Sequence, residues 1–567
     1  MSQAVLGELQ RNFPEAVIDT HEHCGDETII LRPEGLIPMT TFLRERLGFD
    51  MLLDICGNDH PDKEQRFEAI YHFLRTGHSA SRTRKWKRIR LKIPVGENEH
   101  IPSLCEQYKS ANWLERETWD LFGIPFEGHP DLRRLLTHWK FEGHPLRKDY
   151  DKEKRQHLDE SAPNDWFRVR AGVLEKGGET ILANIGPAHP LTKGMFRMVT
   201  ELDGEFIRDA DLEIGYLHRG MEKEAEAHTW GMVLPYAERL NDHSAQINTS
   251  AYALAVEKLA GIEVPERAQW LRMFMAEMSR IMDHCLCLGN TLADMGAMTN
   301  FWYFFKIREA CSNILDNFTG ARLTGNCDRI GGFAWDVYDG FEEDAKELAP
   351  IIADYLGDAE ELILTNRIFL DRSIGVGCIT RKDAISYGLT GPVARAAGVQ
   401  YDVRKIMPYH LYDQVDFEIV VGVRGDVHER VMVRLEEIRQ SLRIMEQILV
   451  YLRKTRGTPI LADVRDITLP TKRKAYTSME AMIRHYNVVT CGERIPDGEA
   501  YGYVEGANGE LGFYLVSDGA GHPQRCHVRS PSLANLQAFV SMVRGSQLAD
   551  AVATFGSLNI VSGELDR

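Results

Sequence analysis

The sequence predicts two linked units. An α+β domain occupies residues 1–150, and a mainly α-helical bundle with small flanking β-sheets occupies 181–567. Three observations carry this reading. Residues 88–95 (Arg-Ile-Arg-Leu-Lys-Ile-Pro-Val) alternate with period two, the pattern of a half-exposed strand. Residues 265–289 and 427–452 each carry one apolar stripe at helical spacing, through Leu271, Phe274 and Met278 in the first and Leu435, Ile438 and Leu442 in the second. Between the units, residues 151–180 are polar and without periodicity, which marks a linker.

Taken in order, residues 1–11 read as an amphipathic helix, since they lack the apolar core and small-residue cleavage pattern of a signal peptide. A helix with a polar face is predicted at 63–76, the strand at 88–95 and another helix at 112–121. Strands with segregated helices give the α+β class. Beyond the linker, two short strands are predicted to flank the Gly-Pro segment of 185–195, ending near Ile214. The long helices follow, and their many apolar neighbours imply a buried bundle. Residues 502–528 return to alternation, with turn chemistry at Ser517-Asp518-Gly519.

Composition narrows the function. A hydrophobic content of 44% and a charged content of 27% read as globular, and no apolar run is long enough to span a bilayer. A net charge of −17 argues against general nucleic-acid binding. None of the ten cysteines forms a Cys-x-x-Cys pair, so the chain is expected to bind no iron–sulfur cluster by itself. Cys285 and Cys287 lie in an apolar helical pattern and read as buried thiols; unpaired cysteines fit a reducing cytoplasm.

Residues 115–136 (Glu-Arg-Glu-Thr-Trp-Asp-Leu-Phe-Gly-Ile-Pro-Phe-Glu-Gly-His-Pro-Asp-Leu-Arg-Arg-Leu-Leu) and 143–149 (Gly-His-Pro-Leu-Arg-Lys-Asp) resemble the signature of the 30-kDa (C) subunit of respiratory complex I. The paired Gly-His-Pro segments read as rigid turns, with His129 and His144 structural. Residues 215–226 (Gly-Tyr-Leu-His-Arg-Gly-Met-Glu-Lys-Glu-Ala-Glu) resemble the signature of the 49-kDa (D) subunit, and 251–259, 294–298, 329–332, 401–405 and 529–533 fit as well. The chain therefore resembles the fused C/D subunits of bacterial NADH:quinone oxidoreductase. His218, Glu222 and Lys223 read as structural within that signature.

The resemblance implies a fold related to the large subunit of nickel–iron hydrogenases, but metal-free. Hydrogenase chemistry would need a cysteine pair near 241 and 244, where this chain has Asn241 and Ser244. It further implies a peripheral place on the cytoplasmic side of the bacterial inner membrane. There the chain would pack on a B-type subunit that carries the terminal [4Fe–4S] cluster. Together with the membrane H-type subunit it would enclose the quinone headgroup. I-type and G-type subunits would be further partners, with NADH and FMN elsewhere in the complex.

In the stretch 185–195 (Ile-Gly-Pro-Ala-His-Pro-Leu-Thr-Lys-Gly-Met) the resemblance keeps His189 and Gly194 in the quinone cavity, but puts Lys193 where the family has histidine. Asp242 stands in place of a tyrosine three residues after Arg239, and Thr324 replaces a histidine near the terminal cluster. Asp294, the family's partner carboxylate, is present, as are Arg239 and Arg329 beside the cluster. Quinone reduction needs donors at both carbonyls and sources for two protons. One reading makes Lys193 and Asp242 a replacement donor pair that recruits Asp294. The other is a divergent complex in which the C/D-type chain is a scaffold and reduces no quinone here. His243 and Tyr236 are spare donors nearby.

Overall fold

The computed structural model describes residues 3–77, 86–157 and 180–567. The first unit is built on a five-stranded sheet. Its spatial order is Val17–His23, Asp26–Leu31, Lys87–Val95, Phe67–Arg75 and Met51–Asp59. Asp26–Leu31 and Lys87–Val95 run parallel; the other neighbours are antiparallel. The helix Ala111–Phe122 packs on the Met51–Asp59 edge. Gly57 makes that contact possible, since a Cβ there would lie 2.6 Å from the Phe122 ring.

Two elements correct the sequence reading. Where 63–76 predicts a helix, Phe67–Arg75 is a strand. Its apolar residues Phe67, Ile70, Tyr71 and Leu74 fall at helical spacing because both faces of this strand are buried, which erases the period of two. The strand Lys87–Val95 is present, but it is not half-exposed. Its polar face meets the second unit: Arg88 pairs with Glu510 at 2.7 Å, Arg90 with Glu499 at 3.0 Å, and Lys92 with Glu499. The predicted helix at 112–121 is observed as Ala111–Phe122. Residues 158–179, most of the predicted linker, lie outside the described residues.

The second unit opens with an antiparallel sheet of three strands, Ile181–Ile185, Arg197–Asp203 and Phe206–Glu213, rather than the two expected. Behind it lies the bundle: Glu266–Asp294 (29 residues), Met298–Thr319, Phe341–Thr365 and Val427–Lys454 (28 residues). Glu266–Asp294 is at its centre, with Leu271, Phe274, Met278 and Ile281 in the core. The alternating tail forms the strands Gly498–Glu505, Glu510–Ser517 and Arg525–Arg529. Ser517–Gly519 opens a longer connection, not a tight hairpin, and the Ser517 hydroxyl accepts from Gly519 N.

The two units share a buried polar seam. His527 lies 2.8 Å from Asp54 of the first unit and 2.9 Å from Glu222, while Arg525 pairs with Glu222 at 2.8 Å. Lys223 donates to Arg147 O at 2.8 Å, and His218 bonds Asp566 O at 2.7 Å. Glu222 and Lys223 of the 215–226 signature thus join the units, and His218 ties that signature to the C-terminal segment. His129 and His144 bond the carbonyls of Asn112 and Asp120, fixing both Gly-His-Pro turns to the helix Ala111–Phe122.

Candidate functional site

The loop from Gly186 to Gly194 joins the first two strands of the second unit. Gly186 has φ +87°, and a Cβ there would meet Thr192 Oγ1 at 2.4 Å, so only glycine fits. Pro187 follows through a cis bond, and its carbonyl accepts from Thr192 Oγ1, His189 N and Gly194 N at 2.8–3.0 Å. His189 Nδ1 accepts from Leu191 N at 3.1 Å, which leaves Nε2 to carry the proton of the neutral ring. Lys193 and Gly194 close the loop at φ +50° and +81°. For lysine this left-handed conformation is uncommon.

Lys193 Nζ lies 2.8 Å from Asp294 Oδ2, with the two side chains 29% and 25% exposed. Asp294 is the last residue of the helix Glu266–Asp294. A carboxylate there opposes the negative end of the helix dipole, at a cost of about 0.3–1 kcal/mol. The ammonium of Lys193 compensates for it.

Among the described residues no ion pair joins Lys193 to Asp242, and Asp242 is exposed. Each is held through a different carboxylate of the helix Glu266–Asp294. Asp242 belongs to a one-turn segment, Asp242–Ser244, capped by Asn241. Asn241 Nδ2 donates to the buried Asp283 at 2.8 Å, and Asn559 Nδ2 donates to its other oxygen at 2.6 Å. Asp283 and Asp294 lie eleven residues apart on one helix (294 − 283 = 11), or roughly 16 Å. Lys193 and the turn that bears Asp242 are thus held at two points of one helix. Asp283, which anchors the turn that bears Asp242, was missed by the sequence reading. His243 follows Asp242; burial first, and Arg308 with it, lowers its pKa against the pull of Asp283, so the ring is neutral near pH 7. Tyr236 packs edge-tilted on His228, 5.5 Å between ring centres.

A second group gathers the residues expected near the partner cluster. Arg239 ends the short helix Leu234–Glu238 and binds Glu238 Oε1 at 2.5 Å and Pro235 O at 2.9 Å. Asn326 Oδ1 receives Arg329 Nη1 at 2.7 Å. Thr324 is half-buried in the same loop. Beside them is a carboxyl the sequence did not flag. Burial pushes Asp328 up to about 6 despite Arg272 at 3.4 Å and a 2.6 Å bond from Thr249. It titrates within reach of neutral pH. Asn241 and Ser244, at the positions hydrogenase chemistry would give to cysteines, are both buried.

This layout of loop, helix end and arginine-bearing turn sits in a chain whose two units each match a known family. Residues 29–156 match the 30 Kd subunit of respiratory-chain NADH dehydrogenase, and residues 294–567 match its 49 Kd subunit. The class is therefore that of respiratory-chain NADH dehydrogenase subunits. Relatives run the full length. A protein of Bdellovibrio bacteriovorus, named as the C/D subunit of NADH-quinone oxidoreductase, is 42% identical, over 96% of this chain and 95% of its own. Those of Aeromonas salmonicida and Yersinia enterocolitica are each 37% identical, over 99% and 100% of this chain and 96% and 97% of theirs. The chain belongs to the family of C/D subunits of NADH-quinone oxidoreductase. Lys193, Arg239 and Asp242 fall between the two family matches and inside the span shared with the Yersinia relative.

Proposed function

We propose that this chain forms the quinone-headgroup site of a proton-translocating NADH:quinone oxidoreductase, with Lys193 as a proton donor in place of histidine. The 2.8 Å contact between Lys193 and Asp294 carries the reading. Reduction of a quinone takes two electrons and two protons and yields a quinol. The ammonium donates to one carbonyl oxygen as charge develops on it, and Asp294 fixes the ammonium in place. Exposed Asp242, on its anchored turn, is the donor proposed for the other carbonyl once protonated. His189 and Gly194 shape the loop wall.

Electrons arrive from the terminal [4Fe–4S] cluster of a B-type partner, docked beside Arg239, Thr324 and Arg329. A fixed positive charge at Arg239 favours the reduced cluster. Proton transfer from Lys193 leaves Asp294 without its counter-charge, and that change is the electrostatic signal proposed to reach the membrane arm. I-type, G-type and H-type subunits complete the assembly, on the cytoplasmic side of the inner membrane. The chain holds no redox group itself and works only within the complex. Its second unit is a hydrogenase-like scaffold without metal; Asn241 spends its side chain on Asp283 instead of on a metal. No helix among the described residues is long and apolar enough to cross a membrane, which fits a peripheral place.

The test is NADH:quinone reductase activity of the purified complex. Lys193→Ala and Asp294→Asn are expected to lower kcat at least about tenfold with the assembly intact, and Lys193→His to restore part of it. Full activity in Lys193→Ala, or a parent complex inactive toward every quinone while its terminal cluster reduces, would make this chain a scaffold.

A further inference from the structure

The first unit holds a buried cation without a counter-charge in contact. Arg116, in the helix Ala111–Phe122, is 4% exposed. Its Nε and Nη2 donate to the carbonyls of Arg133 and Arg134 at 3.2 and 2.9 Å. Among the described residues Nη1 has no hydrogen-bond partner, and no carboxylate forms an ion pair with the guanidinium. Burial lowers its pKa to about 10, and Arg133 adds to the shift. Asp131, Asp211 and Asp120 pull the other way without cancelling it. A charge taken out of water without a partner is strongly disfavoured.

Arg116 lines a cavity of about 150 Å³, where the loop 133–139 of the first unit meets Glu213 and Tyr216 of the second. The nearby carboxylates are already engaged. Arg133 holds Asp211 at 2.6 Å and Asp131 at 2.8 Å. Asp120 takes Arg134 at 2.9 Å and the N–H groups of Leu135, Leu136 and Thr137 at 2.8–3.0 Å. Glu213, the one carboxylate on the cavity wall among the described residues, accepts from Arg197 and from the Tyr216 hydroxyl at 3.2 Å each. The wall therefore sets three arginines against one carboxylate. His138 lines it too. Its Nδ1 accepts from Lys140 N at 3.2 Å, so Nε2 carries the proton of the neutral ring and is a donor. A water in this space would bring no charge, whereas the oxygens of a carboxylate or phosphate match a guanidinium in both charge and geometry. We propose that the cavity binds a small oxyanion, a carboxylate or a phosphate, on Arg116 Nη1 with the His138 ring as second donor. The ligand touches both units, and a ligand that binds only the folded chain stabilises it.

The test titrates the full chain calorimetrically with inorganic phosphate and, in a second arm, with acetate. Sodium chloride holds the ionic strength constant, so that screening is not mistaken for binding. One saturable site is expected in at least one arm, with a Kd of about 1 mM or tighter and a rise in melting temperature. The tighter arm names the ligand's chemistry. Arg116→Gln is expected to abolish binding, and His138→Ala to weaken it about threefold or more. Place is read at Trp139, which lines the same cavity. With 5-fluorotryptophan in the chain, the fluorine resonance that Trp139→Phe removes should shift along the same saturation curve. That readout and His138→Ala decide the matter even if Arg116→Gln does not fold. No saturable heat in either arm, unchanged binding in either variant, or shifts confined to other tryptophans overturns the proposal. Quinone chemistry at Lys193 is a separate reading, and neither result depends on the other.

Discussion

Lys193 is where residue-level chemistry and conformation oppose each other. Its φ of +50° costs an L-residue about 1–2 kcal/mol, which glycine avoids. Its ion pair with Asp294 returns less, about 0.2–1 kcal/mol, because both side chains are a quarter or more exposed and screened by solvent. The balance makes Lys193 a net cost to stability at this position. Lys193→Gly is therefore expected to raise the stability of the full chain, by about 1 kcal/mol, while the complex loses quinone reductase activity. Urea titration beside the activity assay checks both halves. A glycine variant less stable than the parent would mean that the ion pair outweighs the strain.

At the scale of elements, the helix Glu266–Asp294 organises the site by spacing two carboxylates along its length. Its existence was legible from the apolar stripe through Leu271, Phe274 and Met278, and Asp294 from its motif. Asp283 was not legible: its partners Asn241 and Asn559 are 42 and 276 residues away, and no local pattern marks an aspartate in an apolar helix as an anchor. The same limit explains the strand Phe67–Arg75, whose burial on both faces imitates a helix, and the strand Lys87–Val95, whose polar face is an interface instead of a solvated surface. Nor could the sequence say how Lys193 and Asp242 are held: the first pairs with Asp294 and the second sits on a turn anchored to Asp283, both on this helix. Asp283→Ala would strip two amide donors of their carboxylate in a buried place. The expected cost is about 3 kcal/mol in a urea titration, together with loss of quinone reductase activity as the Asp242 turn loosens. A variant that keeps both stability and activity would show that Asp283 positions nothing.

Over the whole molecule, the seam between the units is set by charge, and its pH dependence follows. Burial works against a charged His527, but Asp54 and Glu222 overrule it and push its pKa up to about 9. Burial likewise opposes ionisation of those carboxylates, yet Asp54 is held below its usual range by His527, and Glu222 by Arg525 and His527. The sign for a raised histidine is fixed. Its stabilisation is fully present below its ordinary pKa of about 6.5 and is lost as pH rises through about 9. The carboxylates act oppositely: their share is lost as pH falls through the acid range. The seam should thus be tightest between these limits. Chemical denaturation of the full chain is expected to show stability falling from about pH 6.5 to 9. His527→Gln should flatten that slope and, by leaving Asp54 and Glu222 buried beside an uncharged group, cost about 3–5 kcal/mol at pH 6.5. Limited proteolysis adds a readout of place, because a loosened seam exposes the strand Met51–Asp59 before the helical bundle. A variant with the parent's slope would mean that His527 is neutral at the seam, and that Arg525 with Glu222 holds the units together without it.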